Sequence, residues 1–257
     1  RPGVNGSLAS EAVARARADG YTLVIGGPGT HAINQLVNSN VKYDARRDFT
    51  HIAMLGRVPM LLLASPRLKV ASVADVVALA RASPGTVNVA LTGIGSSSHV
   101  TTELLRQAAG VSFNNVPYKG DVPAMTDVMG GQVPCMFLDL ASGLPVIQSG
   151  KVRALAIGTA KRVPNLPNVP TLAELGLKDS EVYAFQGILG PKGLPPAIVQ
   201  RLNADLQKAF KDPDVVKRMA DFGMEALPGT PEQFRTMARA ESKRWGEIIK
   251  AAGVKLD

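Results

Sequence analysis

A run of glycines and hydroxyl side chains from Thr92 to His99 is the part of this chain best suited to bind a ligand. It follows an apolar stretch that predicts a strand, Val87–Leu91, and precedes a predicted helix, Val100–Ala109. Glycines permit tight turns and close approach of a ligand, and the first turn of a helix presents unpaired N–H groups with a partial positive charge. Such a loop binds phosphate or carboxylate without a cationic side chain. A serine N-cap after a flexible turn accounts for the same residues, so the loop alone leaves both interpretations open.

Two further stretches place polar side chains at predicted strand ends. Tyr118, Lys119 and Gly120 follow the predicted strand Ser112–Pro117 and supply an aromatic ring and an ammonium group. Asp139 follows another apolar stretch, where its carboxylate fits either a ligand contact or the N-cap of the next helix. Lys119 fits equally well as a solvated loop lysine.

The motifs of nucleotide-binding and hydrolytic enzymes are incomplete. The series Gly93-x-Gly95-x-x-Ser98 lacks the third glycine of the dinucleotide fingerprint, and no Gly-Lys-Ser/Thr sequence follows a glycine loop. The segment Gly95-x-Ser97-x-His99 is not a nucleophile elbow, because its fifth position is histidine. We therefore expect a protein that is not an enzyme and uses no cofactor. A nucleotide-dependent or hydrolytic α/β enzyme that uses the Gly/Ser loop is the alternative.

Metal, nucleic-acid and membrane functions find little support in the composition. The three histidines, His31, His51 and His99, are too scattered for a metal motif, and Cys135 is the single cysteine, so we expect no metal site and a buried packing role for Cys135. The net charge is +8, but residues 89–190 carry equal numbers of basic and acidic side chains. There is no basic stripe with interleaved aromatic residues, and no apolar run long enough to span a bilayer.

Predicted strands and helices alternate from one end of the chain to the other. Apolar strands between helices imply sheets covered on both faces and mostly parallel, which is a doubly wound α/β architecture. Two apolar stretches, Ile52–Val58 and Met60–Ala64, predict separate strands. Capping residues mark helix starts at Ser72 and Thr230, and Thr171 with Glu174 predicts a short helix at 172–175. The apolar stripe of the last helix, 231–252, predicts that the single tryptophan, Trp245, lies in the core.

The chain predicts two domains without a low-complexity linker. Candidate crossings lie near Val89–Thr92 and near Gly187–Gly193, so residues 1–89 and 189–257 form the expected domain 1, and residues 90–188 form an inserted domain 2. The segments Leu23–His31 and Val89–His99 share one plan, with an apolar strand, a glycine-rich turn, hydroxyl residues, a histidine and a helix. Ligands of open α/β sheets bind at the carboxyl ends of strands, where both turns would lie.

Seven motifs occur along the chain in a characteristic order. They are Asp19-Gly20-Tyr21-Thr22-Leu23, Gly93-x-Gly95-Ser96-x-Ser98-His99, Pro117-Tyr118-Lys119-Gly120-x-x-Pro123-Ala124, Asp127-x-x-Gly130-Gly131-Gln132-Val133, Gly150-Lys151-x-Arg153-Ala154-Leu155-Ala156, Pro167-x-Val169-Pro170-Thr171-x-x-Glu174 and Gly229-Thr230-Pro231-Glu232-Gln233-Phe234. Together they resemble the Bug-type receptors, which are the substrate-binding proteins of tripartite tricarboxylate transporters. The resemblance is collinear and extends over essentially the whole chain.

The resemblance implies a two-lobed periplasmic-binding-protein fold of type II, with helices on both faces of each sheet and a cleft that closes on a small organic acid. It implies a monomeric periplasmic receptor that captures a di- or tricarboxylate, an amino acid or an aromatic acid and delivers it to the membrane components of a transporter. Carried over by motif, the ligand-binding residues are Thr30 and His31 in the first lobe, Gly95, Ser96, Ser97, His99, Tyr118, Lys119, Gly120 and Asp139 in the second lobe, and Phe185 in the pocket wall.

The family also begins with a strand, a glycine-rich loop, a helix and a second strand. The present sequence starts at Arg1-Pro2-Gly3, which resembles the junction just after that unit, and it shows no signal peptide. We therefore expect either a sequence that begins within a longer precursor or a first domain without those strands.

Overall fold

The computed structural model describes residues 6–177 and 180–253. The chain divides into two compact units. Unit 1 contains the chain up to Arg57 and again from Ala184, and unit 2 is Val58–Tyr183. Residues 58–89 thus belong to unit 2, whereas the sequence placed them in domain 1. The difference arises because the strand that leaves unit 1 continues into the sheet of unit 2 without a break.

Unit 1 contains four strand segments and a set of surrounding helices in the part of the chain that is described. Strand β1 (Val24–Gly26) pairs antiparallel with β7 (Tyr183–Pro191), and the first part of β2 (Phe49–Ala64) pairs antiparallel with β8 (Glu225–Ala226). The helices are α1 (Ser7–Ala14), α2 (Asn34–Val37), α7 (Pro196–Ala209), α8 (Pro213–Asp221) and α9 (Pro231–Ala252). A π-helical turn (Gly29–Ile33) directly precedes α2.

The core of unit 1 is aromatic. Phe234 on α9 is 1% exposed, and its ring meets the ring of Phe185 edge-on with centroids 6.2 Å apart. Trp245 is fully buried on the same helix, which confirms its predicted place in the core. The predicted cap of α9 is also present, since the side chain of Thr230 accepts a hydrogen bond from the Gln233 amide, and the side chain of Gln233 accepts one from the Thr230 amide.

Unit 2 is built on a sheet of mixed direction. The last part of β2 pairs antiparallel with β5 (Cys135–Asp139) on one side and β6 (Arg153–Ile157) on the other. Strand β3 (Asn88–Leu91) lies between β5 and β4 (Asn114–Pro117) and is parallel to both. The helices of this unit are α3 (Val73–Ala82), α4 (Ser97–Ala109), α5 (Asp121–Gly130) and α6 (Leu140–Gln148).

Three expectations about the elements need correction. The sheets are not mostly parallel, because β2 runs antiparallel to each of β5, β6 and β8. The prediction failed because a continuous apolar strand indicates burial on both faces and does not indicate strand direction. Strand β2 is continuous through Pro59, which lies where the pairing changes from β8 to β5, so its missing N–H falls between two ladders. Residues 172–175 form turns and no helix, although Thr171 and Glu174 make both capping hydrogen bonds.

Other local predictions are confirmed. Ser72 caps α3, and Asp75 completes the reciprocal capping box. Cys135 is fully buried in β5, where burial raises the pKa of its thiol to about 12, which fits a packing residue. Across residues 6–177 and 180–253, none of the helices is both long and apolar enough to cross a membrane.

Candidate functional site

Three strand ends and three helix starts meet at one edge of the sheet in unit 2. Because β3 is parallel to both β4 and β5, their carboxyl ends lie at the same edge. Each strand leads into a helix there, β3 into α4, β4 into α5 and β5 into α6. The first-turn amides of a helix have no intrahelical acceptors, and they carry a partial positive charge. This edge therefore concentrates N–H donors, and we call it the α4–α5–α6 edge.

The Gly/Ser loop is held in shape by its own serines. The side chain of Ser96 caps α4 by accepting from the His99 amide at 3.3 Å, and its hydroxyl lies 2.8 Å from that of Ser98. Ser98 Oγ accepts from the Thr92 amide at 2.8 Å. Gly95 has φ of +73°, a left-handed conformation that favours glycine. The hydroxyls of Ser96 and Ser98 are thus used inside the loop.

The donors left for a ligand are main-chain groups at the start of α4. In the described parts of the chain, the amides of Ser97 and Ser98 have no backbone acceptor, and Ser97 is the partly exposed member of the three serines. The sequence assigned Ser96 and Ser97 through hydroxyls as well as amides. The structure gives Ser96 a capping role and leaves Ser97 able to offer both groups.

His99 is a structural acceptor within the same loop. It is 5% exposed, and its Nδ1 lies 3.1 Å from the Gly95 nitrogen, whose N–H donates to it. Nδ1 therefore carries no proton, and the ring is neutral. Burial lowers its pKa, and the nearby Glu103 opposes that shift. His99 fixes the Gly95 amide and brings no positive charge to the edge.

The loop of Tyr118, Lys119 and Gly120 is joined to the end of β3 and the start of the Gly/Ser loop by main-chain hydrogen bonds. The Tyr118 amide donates to Leu91 O at 2.9 Å, and the Gly120 amide donates to Thr92 O at 3.0 Å. Lys119 lies between them with an exposed side chain. The structure thus brings Tyr118, Lys119 and Gly120 beside the Gly/Ser loop, as the sequence predicted for these neighbours.

The Tyr118 hydroxyl points to a partner on the following helix, α5. It donates to Asp127 Oδ2 at 2.7 Å. Desolvation, together with this carboxylate, raises the pKa of Tyr118 to about 12. The phenol is therefore a fixed neutral group, and its ring is the surface that it can offer to a ligand.

Two carboxylates belong to the α4–α5–α6 edge. Asp139 caps α6, accepting from the amide of Ser142 at 2.9 Å and from its hydroxyl at 3.0 Å. Asp121 starts α5 and hydrogen-bonds to the side chain of Thr92. The pKa of Asp121 is raised first by burial and then by the charge of Asp139, while Thr92 lowers it.

Sequence reasoning missed Asp121, and it named Thr92 only as the first residue of the Gly/Ser loop. Asp121 directly follows Gly120, and Thr92 directly precedes Gly93. Each lies between the end of a strand and the helix that follows it. The signal available was the position of each at a predicted strand end, which is where Asp139 was found.

The ligand contacts predicted in unit 1, Thr30 and His31, make hydrogen bonds and ring contacts within that unit. Thr30 Oγ1 accepts from the Gly27 amide at 3.2 Å and lies 2.8 Å from His31 Nδ1. His31 is 5% exposed and contacts the Phe49 ring edge-on at 4.7 Å, and burial lowers its pKa to about 3. Its Nε2 is buried without a hydrogen-bond partner among the described residues.

Phe185 is 3% exposed and belongs to the core cluster of unit 1 with Phe234 and Leu189. That burial is typical of a packing residue. Its assignment to a pocket wall, like the ligand contacts of Thr30 and His31, stays a prediction.

The chemistry available at the α4–α5–α6 edge is binding. Its amides and Lys119 can hold an anion, and its carboxylates can accept from a hydroxyl or ammonium group. His99 Nδ1 is engaged with the Gly95 amide, so it is not the base of a serine nucleophile. In residues 6–177 and 180–253 no three His, Cys, Asp or Glu side chains are grouped to hold a metal.

Comparison with known proteins agrees with a binding function. The model of the TctC family, described as the tripartite tricarboxylate transporter family receptor, matches residues 1–254. The protein BugT of Bordetella pertussis is 34% identical over 257 residues, which is all of this chain and 79% of that protein.

Two ligand-bound structures are similar in both sequence and fold. An adipate-bound protein of R. palustris has a TM-score of 0.95 and 36% identity, covering 99% of this chain and 85% of the other. MatC of Rhodopseudomonas palustris with bound malate has a TM-score of 0.88 and 32% identity, covering 96% of this chain and 85% of the other. The fold is thus the mixed α/β fold of periplasmic solute-binding proteins, and the family is one of receptors and not of enzymes. The chain belongs to the TctC family, the solute receptors of tripartite tricarboxylate transporters.

Proposed function

We propose that this receptor captures a small organic carboxylate and that the α4–α5–α6 edge binds a carboxylate group of that ligand. The observation that supports this most directly is the set of free N–H donors at the start of α4, next to Lys119. The adipate and malate found in two similar structures are small carboxylates of this kind. The residues proposed for the site in unit 2, as ligand contacts or as groups that position them, are Gly95, Ser96, Ser97, His99, Tyr118, Lys119, Gly120 and Asp139.

The residues divide into binding and positioning groups. The amides of Ser97 and Ser98, the Ser97 hydroxyl and the Lys119 ammonium contact the carboxylate. Ser96 and His99 act through the loop, because their polar atoms hold the His99 and Gly95 amides. In unit 1, Thr30 and His31 are proposed as further ligand contacts, and Phe185 as a wall residue.

Asp121 and Asp139 limit which part of a ligand can lie beside them. Ionised carboxylates accept hydrogen bonds but do not donate them, and they repel a second anion. We therefore expect a hydroxyl or ammonium group of the ligand near Asp139. Malate, which carries a hydroxyl, should bind more tightly than succinate, which is the same diacid without it.

The test is a thermal-shift panel of adipate, malate, succinate, citrate, aspartate and NAD with the purified chain. A ligand at about 100 times its dissociation constant stabilises the native state by about 2.7 kcal/mol, so a carboxylate that binds raises the melting temperature. A shift with NAD alone would show that the chain binds a nucleotide, as the enzyme alternative requires.

A pair of variants at Ser97 tests the site. Ser97→Pro removes the amide donor, and it suits the first helical position because Ser96 is extended at φ −85° and ψ 168°. Ser97→Ala removes only the hydroxyl. We expect Ser97→Pro to weaken carboxylate binding about tenfold or more, since a hydrogen bond to a charged group contributes about 1.5–3 kcal/mol, and Ser97→Ala to weaken it less. An unchanged affinity in Ser97→Pro, with an unchanged melting temperature without ligand, would remove this edge from the binding site.

The membership of the family also supports proposals about cellular role. We propose that the chain acts in the periplasm, as a monomer, and passes its ligand to the membrane components of a transporter. Size-exclusion chromatography with light scattering, with and without malate, checks the oligomeric state.

A further inference from the structure

Helix α9 has a second face that lines a hollow on unit 1. The hollow has a volume of about 610 Å³. Six of its lining residues recur at helical spacing on α9, and the other two come from α2 and from the segment before β2. The lining residues are Leu36, Arg46, Arg239, Ser242, Lys243, Gly246, Glu247 and Lys250.

The two faces of α9 have different tasks. Phe234, Ala238, Trp245 and Ile249 are buried and join the helix to the body of unit 1. On the face that lines the hollow, Ser242 Oγ donates to Ala32 O at 3.4 Å, whereas the charged side chains of that face are exposed. Gly246 lies at its middle, where an added Cβ would be 3.4 Å from the nearest atom of Leu36, so the absence of a side chain keeps the hollow open.

The hollow carries excess positive charge. Arg46, Arg239, Lys243 and Lys250 are exposed cations, against one carboxylate, that of Glu247. Arg46 has one carboxylate at the outer limit of an ion pair, 3.9 Å away, and 69% of its side chain is exposed. Within the described residues, the other three cations have no carboxylate within 4.0 Å. Their charge is therefore available to a partner.

We propose that this hollow is a docking site for an acidic segment of a partner protein. Charge complementarity requires an anionic occupant. The concave shape favours a protruding loop or helix end over a flat membrane surface. Leu36, which is 44% exposed at the hollow, provides an apolar contact that an acidic peptide with an aliphatic side chain can use and inorganic phosphate cannot.

A segment with several carboxylates also gains from the spacing of the cations. Each exposed Lys or Arg contributes little to binding alone, because solvent screens its charge and its side chain loses entropy on pairing. Several pairs formed at once by a single segment share the entropy cost of association. The proposal does not depend on the carboxylate site in unit 2.

The experiment measures binding of a fluorescein-labelled peptide, Glu-Glu-Leu-Glu-Glu, by anisotropy, with Gln-Gln-Leu-Gln-Gln as the uncharged control. The double variant Arg239→Glu/Lys243→Glu changes the hollow. The matched control Lys208→Glu/Lys211→Glu makes the same change of net charge at exposed lysines elsewhere on unit 1. We expect saturable binding of the acidic peptide that the first variant weakens at least about tenfold and the control weakens less than about twofold.

Four results would overturn the proposal. Equal loss in both double variants would mean attraction to overall charge alone. Binding of pyrophosphate to the hollow without binding of the acidic peptide would identify a small-anion site, and binding to phosphatidylglycerol vesicles without peptide binding would identify a membrane contact. Absence of any peptide binding also rejects it.

The same variants test this proposal and the proposed carboxylate binding independently. Because both double variants leave the α4–α5–α6 edge intact, the melting temperature of each should still rise with carboxylate ligand. A conservative variant, Lys243→Arg, retains the charge and should retain peptide binding. Loss of peptide binding with a preserved carboxylate shift also shows that the variant is folded.

Discussion

At the scale of single residues, the polar side chains of the candidate site mainly fix the backbone. Ser96, Ser98 and His99 each spend their hydrogen bonds on neighbouring amides or hydroxyls, and the groups left over are main-chain N–H donors. This arrangement lets the proposed carboxylate site contain a buried neutral histidine and two carboxylates. The positive potential comes from helix starts, which do not titrate.

Asp121 offers a direct test of the arrangement at this scale. Asp139→Asn keeps an acceptor for the Ser142 amide but removes the negative charge, so the pKa of Asp121 should fall. It should stay above its ordinary value, because burial is the larger cause of its elevation. Thr92→Val removes the hydrogen bond that lowers the pKa and should raise it. Carbon-13 NMR titration of the carboxyl groups measures both, and shifts in the same direction would contradict the geometry.

At the scale of elements, glycine positions decide how closely strands and helices approach. Gly187 on β7 lies directly against the ring of Phe234 on α9, and an added Cβ would overlap that ring. The ring cannot move easily, since Phe185 and His51 both contact it edge-on. Close packing at this point joins α9 to the sheet of unit 1.

We therefore expect Gly187→Ala to destabilise the protein by about 1–3 kcal/mol through overpacking. Gly29→Ala is the matched control, because a Cβ there meets no heavy atom within 4 Å. Its effect should stay within about 0.5 kcal/mol. Urea unfolding followed by tryptophan fluorescence reports on this region, because Trp245 is on α9. Equal midpoints for the two variants would contradict the packing described.

At the scale of the whole molecule, buried histidines should make stability depend on pH. Burial lowers the pKa of His31 to about 3 and, with nearby arginines, that of His51 to about 4, whereas both titrate near 6.5 when unfolded. Above 6.5 neither state binds the proton, and stability is unaffected. Below 6.5 the unfolded state binds protons that the folded state does not, so stability falls as the pH falls.

Between pH 6.5 and 5 each histidine should remove up to about 2 kcal/mol, since one pKa unit corresponds to about 1.4 kcal/mol. Urea titrations at several pH values measure this loss. His31→Gln and His51→Gln each remove one titrating group and should reduce the slope, even where they lower stability at neutral pH. A slope that neither variant changes would mean that other groups cause the acid sensitivity.

Several helices, two buried residues and the family could be predicted from the sequence. Helix starts at Ser72 and Thr230, the buried positions of Trp245 and Cys135 and the helix 140–148 follow from local patterns, and the structure has them. The collinear motifs indicated the family, and comparison confirms it. These features depend on neighbours in the chain or on motifs that remain contiguous, and such information is local.

Other features depend on partners far away in the chain. Strand direction was wrong, because the antiparallel pairing of β2 with β5 and β6 joins residues 71 to 96 positions apart, and an apolar strand reports only that both its faces are buried. The same long-range pairing takes β2 through Pro59 and assigns residues 58–89 to unit 2.

For the Gly/Ser loop, the sequence by itself determined that a glycine turn and a capping serine precede a helix. Only the tertiary structure decided which donors remain free, because that depends on the hydrogen bonds of Ser98 with Thr92 and of His99 with Gly95. It also placed Asp121 and Thr92 beside Asp139, since three parallel strands end at one edge. Residue types set the chemistry that is available, whereas the fold sets which groups are already paired.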